Sequence, residues 1–268
     1  MKKLGLGILI GVVTVVLTAG VALALPSNRG IDRAGQVSQA IKDGNIMAPP
    51  EFVMPYPPQL SENELTKIIF IRYAPGVAPI CDNDGVCEAR ENWKSCPNDC
   101  PKGGEEPTPT ACYAFLSGSK PKWNWVEDYY YSTSELGTAS AWATLVWNEA
   151  TSATIFGSGV SENNLWGVYD YKNSVSFGDY LDPNVIAVTA IWFRGKNIYE
   201  YDIMFDTNYF PGNVDLDTVV LHEFGHGAGL GDLYDVVCTG NVMYGYYEGV
   251  KTILGSGDAT GLQTLYGI

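Results

Sequence analysis

The spacing of apolar residues changes period several times along this chain, and each change marks an element. Leu136, Ala139, Ala143, Val146, Trp147 and Ala150 recur at helical spacing, which predicts a helix from an N-cap at Ser134 through Ala150. Before it, WNWVEDYYYS reads as a strand. Between 154 and 206 the pattern is that of strands. NVIAVTAIWF and NIYEYDIMF are β-branched and aromatic runs separated by Arg194-Gly195-Lys196, a hairpin signature. DLDTVVLHEFGHGAGL returns to helix, with Asp215 or Asp217 as cap, and Asp258–Tyr266 predicts a closing helix. A helix, then strands, then helices read as one α+β domain over residues 112–268.

The chain before it is less regular. Lys2 and Lys3 precede an apolar run from Leu4 to Leu25, and Ala22-Leu23-Ala24 has the small-x-small form of a cleavage site. Residues 1–24 are therefore read as a secretory signal, the rival being an uncleaved membrane anchor, since the run is long enough to span a bilayer. Residues 25–80 form a candidate pro-segment or linker. They are broken by the prolines of MAPPEFVMPYPPQL, and only Lys67–Tyr73 has strand character. Residues 81–100 hold Cys81, Cys87, Cys96 and Cys100 in a module too small for a core without staples. Residues 101–111, rich in Gly, Pro, Thr and Glu, form a linker.

Composition narrows the function. A net charge of −14 leaves no basic footprint for nucleic acid. Export makes the six cysteines readable as disulfides, and clustering favours two bridges inside the module and a third from Cys112 to Cys238. Asp82, Asn83, Asp84 and Gly85, with Glu91 and Asp99, also make the module a candidate calcium site, although the same residues dominate turns that hold no metal.

The sharpest chemical signal is LHEFGHGAGLGDLYD at 221–235. The chain has two histidines, and this stretch contains both, His222 and His226. Four residues apart on a helix they share a face, so two imidazoles can reach one ion. Glu223 is placed to act on a water at that ion as general base. A catalytic zinc takes three protein ligands and keeps one position open. Gly227, Gly229 and Gly231 let the chain turn back, and Asp232 follows as the candidate third ligand, with Asp235 as its rival.

His222-Glu223-x-x-His226-x-x-Gly229-x-x-Asp232 resembles the extended metzincin signature, with Asp at the third ligand position as in snapalysin-like enzymes. NVMYG resembles the metzincin Met-turn, which makes Met243 its methionine. EYDIMFDTNYF, TASAWATLVWNEA and GDATGLQTLYG are similar to the strand before the active-site helix, the first long helix and the closing helix of matrixin-like peptidases. The resemblance implies a zinc metallopeptidase domain with a twisted, mostly parallel sheet and an antiparallel edge strand. It implies substrate laid along that edge, with NVIAVTAIWF as the candidate strand, and an S1′ pocket between Leu233 and Tyr247. The chain departs from vertebrate matrixins in having no histidines to spare for a second zinc and no cysteine in 25–80 to block the first. Tyr244, Tyr246 and Tyr247 follow the Met-turn but lack the spacing of a tyrosine ligand, and are read as aromatic packing.

The function expected is a secreted zinc endopeptidase acting on proteins or peptides, with membrane contact only if the N-terminal segment stays uncleaved. The rival is a cell-surface binding or adhesion protein with a structural or vestigial metal site, which would have no need of Glu223.

Overall fold

The computed structural model describes residues 60–76, 111–163, 166–210, 212 and 214–268. The expected signal at 1–24, most of the 25–80 segment, the module at 81–100 with its candidate calcium ligands, and the linker to 110 lie outside the described residues. Among the described residues no helix is long and apolar enough to cross a membrane.

The centre of the molecule is a six-stranded mixed sheet. β1 (Thr66–Tyr73), β3 (Glu127–Tyr131), β4 (Phe156–Ser161), β5 (Asn173–Gly178), β6 (Val185–Arg194) and β7 (Asn197–Asp206) lie in the order β1-β6-β7-β5-β3-β4. β7, β5, β3 and β4 are parallel, and β6 runs antiparallel to β7 across the hairpin, with Gly195 turning at φ +60°. β6 is thus the antiparallel edge of the unit that starts at residue 111. β1, from the preceding segment, pairs antiparallel along the outside of it. The near-continuous apolar run of β6 fits this position, buried on both faces up to Phe193.

Two helices complete the core. α1 (Ser134–Asn148) and α2 (Leu216–Gly227) pack together, and the Trp147 indole donates to the Leu221 carbonyl at 2.8 Å. The α1 cap differs from expectation. Thr133, not Ser134, has extended backbone, and its hydroxyl accepts from the Leu136 N–H at 3.3 Å. The helix also stops at Asn148, because that side chain turns to the next loop, accepting from Ile155 N–H at 2.9 Å and donating to Phe156 O at 2.8 Å. α3 (Ser256–Tyr266) closes the domain. A two-stranded ribbon of β2 (Ala114–Phe115) and β8 (Leu230–Gly231) ties the start of the unit to the chain beyond α2. The Cys112–Cys238 disulfide fastens the same two regions across 126 residues of sequence.

Candidate metal centre

α2 starts where a carboxylate can cap it. Asp215 accepts from the Thr218 N–H at 2.8 Å, and its charge complements the helix N-terminus. From Thr218 to Gly227 every residue of the helix is buried, which is unusual for a helix with two histidines and a glutamate. Gly225 explains how tightly it is held. A Cβ there would collide with Met243 Sδ and lie 2.8 Å from Trp147 Cζ2, so glycine lets Met243, the expected Met-turn methionine, pack against the His222–His226 turn without either side chain shifting.

The helix ends with Ala228, and Gly229 reverses the chain at φ +104°. Of the four glycines from Gly225 to Gly231, this one adopts the left-handed region, where a side chain would be strained. β8 follows and delivers Asp232. One ligand atom each from His222, His226 and Asp232 lie within 4.8 Å of one another. Asp232 Oδ1 sits 3.0 Å from His222 Nε2 and 3.5 Å from His226 Nε2. Asp235 goes elsewhere. It caps the short turn Val236–Cys238 by accepting from the Val237 N–H at 2.9 Å.

Hydrogen bonds fix the tautomers. His222 Nδ1 faces the Val242 carbonyl at 2.8 Å, and His226 Nδ1 faces the Leu230 carbonyl at 2.9 Å. A carbonyl only accepts, so each Nδ1 carries the proton and each Nε2 presents a lone pair. Burial, aided by Arg72, pushes His222 down to about 3, and burial also lowers His226, so both rings are neutral at pH 7. Asp232 is held below the usual carboxylate range: burial opposes its ionisation, His226 and His222 favour it whenever a ring is protonated, and the Arg72 charge favours it throughout. Two lone pairs and a carboxylate oxygen therefore converge with no proton between them. Such a donor set is repulsive unless a cation lies among it, and two imidazoles with one carboxylate fit zinc with a position left open. The ring hydrogen bonds to carbonyls are the outer contacts that orient such ligands.

Glu223 lies beside this set, 1% exposed. Its Oε2 accepts from the Thr189 hydroxyl of β6 at 2.5 Å, and its Oε1 has no partner. Burial pushes the carboxyl up to about 8, against Arg72 and the Thr189 hydrogen bond. A dication nearby acts the other way and favours the carboxylate.

Several contributing residues were not expected. Asp258, at the start of α3, accepts the N–H groups of Val242, Met243 and Gly255 at 2.6, 3.1 and 2.7 Å and so holds the Met-turn. Its signal in the sequence is the carboxylate three residues after the Gly255 N-cap. Tyr234 donates to Asp232 Oδ2 at 3.1 Å. Phe70 stacks on the His226 ring at 3.9 Å, and Arg72 Nη1 donates to the Tyr244 carbonyl at 3.3 Å; both come from β1. Leu233 and Tyr247, the two residues expected to wall an S1′ pocket, both lie among the described residues. Leu233 pairs through its backbone with Met243 and Gly245. Tyr247 lines a cavity of about 410 Å³ at the start of α2, together with Glu135, Phe210, Val214, Leu216 and Val250.

Among known families, residues 127–267, more than half of the 268-residue chain, match Matrixin. No curated protein matches the chain.

Proposed function

The chain belongs to the matrixin family of metallopeptidases, and from that premise we propose that it is a secreted zinc-dependent endopeptidase whose ion is held by His222, His226 and Asp232 and whose general base is Glu223. The observation that carries this reading is the convergence of the two Nε2 lone pairs and Asp232 Oδ1 beside a buried glutamate with one free oxygen. Zinc bound there supplies a Lewis acid that brings the pKa of water to about 7 and polarises a peptide carbonyl. Thr189 positions Glu223 by holding Oε2, which leaves Oε1 to take the proton of the attacking water. The same oxygen then hands that proton to the leaving amine. Thr189 lies on β6, so the residue that orients the base sits on the strand expected to grip the substrate backbone.

Export is supported by the Lys2-Lys3 start, the apolar run and Ala22-x-Ala24, and by a disulfide of the kind that persists outside the cytoplasm. A product either free or tethered outside the cell fits both readings of residues 1–24.

The test is Glu223→Gln. In zinc-loaded protein it lowers cleavage of an unfolded protein such as casein by about a thousandfold, the middle of the range for a lost general base, while zinc content stays at the wild-type level. A wild type that binds zinc and cleaves nothing, in every activated form, returns the reading to a binding protein with a structural metal.

A further inference from the structure

We propose that Thr66–Tyr73 is an intramolecular occupant of the substrate cleft, which keeps the chain latent by pairing with β6 and closing the metal centre with Phe70 and Arg72. This rests on the peptidase reading above and adds how the site is regulated.

β1 uses the edge that an extended substrate would need. It pairs in register from Thr66 opposite Phe193 to Ile71 opposite Val188, with a shift only beyond Arg72. Two strands cannot share one edge, so β1 and a substrate exclude each other. The alternation of a strand puts Ile68, Phe70 and Arg72 on one face. On that face Phe70 lies nearly parallel to the His226 ring, 13° between planes, and so covers one side of the imidazole. Arg72, 2% exposed, goes deeper. The charges that favour its ionised form against burial are led by Glu223 and Asp232, the proposed base and third ligand. Its Nε has no hydrogen-bond partner. A buried guanidinium with an unused donor is costly, and strand pairing alone gives it no reason to be there. Its anchor is the Tyr244 carbonyl, next in sequence to Met243, which sets the guanidinium against the floor of the centre.

The segment is anchored at its beginning as well. Trp192 Nε1 of β6 donates to Glu62 at 3.0 Å, and Lys67 Nζ donates to the Gly167 carbonyl at 2.9 Å. Apart from Arg72, the residues of β1 are exposed or only partly buried. It is laid on the domain and not built into it, as a removable occupant should be. No cysteine is involved. A ring stacked on His226 and a guanidinium bonded at Tyr244 stand where a cysteine ligand to the ion would otherwise be needed. Tethering gives an effective concentration of about 1 mM, so a strand binding with a Kd of about 0.1 mM already blocks the cleft about tenfold.

The test compares three zinc-loaded full-length proteins: the native sequence, the double variant Phe70→Ala/Arg72→Ala, and a chain nicked at a specific protease site inserted between residues 101 and 110 and assayed at high dilution. A peptide hydroxamate, which needs both the edge and the ion, reports access to the cleft, and casein cleavage reports activity. The expected result is hydroxamate binding at least about tenfold tighter in both altered forms, with cleavage faster by a similar factor. The synthetic peptide TKIIFIRY, added to the nicked form, reverses both. The nicked form keeps every native side chain, so a folding defect in the double variant does not decide the outcome. Equal hydroxamate binding in all three overturns the inference. Tighter binding without cleavage by any form leaves the occlusion standing and overturns the peptidase reading instead.

Discussion

Two pairs of buried carboxylates lie a short distance apart in the sequence and behave oppositely. Glu200 and Asp202 on β7 are fully buried and accept hydrogen bonds from the loop that crosses them. Glu200 takes the N–H groups of Asp170 and Tyr171, and Asp202 takes those of Gly167 and Ser174 together with the Ser174 hydroxyl. Burial, with each other's charge added, pushes Glu200 up to about 9, and burial raises Asp202 to about 7. Glu223 and Asp232 are buried to a similar degree, but they face two imidazoles and a guanidinium. There the pair splits, with Asp232 held down to about 2 and Glu223 pushed up to about 8. Burial is common to all four. What differs is whether the neighbours are neutral backbone donors or groups able to share a cation, and only the second set suits a metal and a base.

The sharpest way to test that contrast is to remove one carboxylate from each pair. Asp232→Ala weakens zinc binding by more than about a hundredfold, exceeding the 10- to 100-fold typical of losing an outer-shell contact, while Asp235→Ala leaves zinc affinity unchanged in the same titration. Equal affinity for Asp232→Ala and wild type would remove Asp232 from the ligand set. Asp202→Ala has the opposite profile. It strands the Gly167 and Ser174 N–H groups and lowers unfolding free energy by about 2 kcal/mol in a denaturant melt, with zinc affinity unmoved.

The smallest effect is a pH dependence. Glu200 has a folded value near 9 against 4.5 ordinarily, so the native state holds its proton where the unfolded chain has lost it. The stability this brings is complete below pH 4.5 and is lost as pH rises to 9. Metal-free Glu200→Gln, neutral throughout, should therefore show a Tm decline between pH 7 and 9.5 that is shallower than wild type by about 2–4 °C, the shift that about 1 kcal/mol makes in a domain of this size. Parallel declines in the two proteins would show that Glu200 is ionised in the native state at pH 7.

Much of this was legible beforehand because it is local. Periodicity located the hairpin of β6 and β7, and the cap chemistry of Asp215 located the start of α2. Helical spacing put His222 and His226 on one face, and Gly229 supplied the turn to Asp232. Errors of a residue or two arose where a neighbouring side chain competed, as with Thr133 against Ser134 and Asn148 at the end of α1. Thr189, Asp258, Phe70 and Arg72 were not legible. They reach the centre from β6, α3 and β1, and the spacing of a sequence carries no record of which elements meet.

The sequence by itself thus determined the elements, the histidine pair, the glutamate between them and the aspartate turned toward them, because all four follow from periodicity and backbone conformation within one stretch. Tertiary structure decided the tautomers, through carbonyls of Val242 and Leu230, and the orientation of Glu223, through Thr189. It also decided that the open edge of β6 is covered by a strand from the chain's own N-terminal side. The physical reason is that hydrogen-bond partners and desolvation are properties of packed neighbours, which exist only once distant segments have come together.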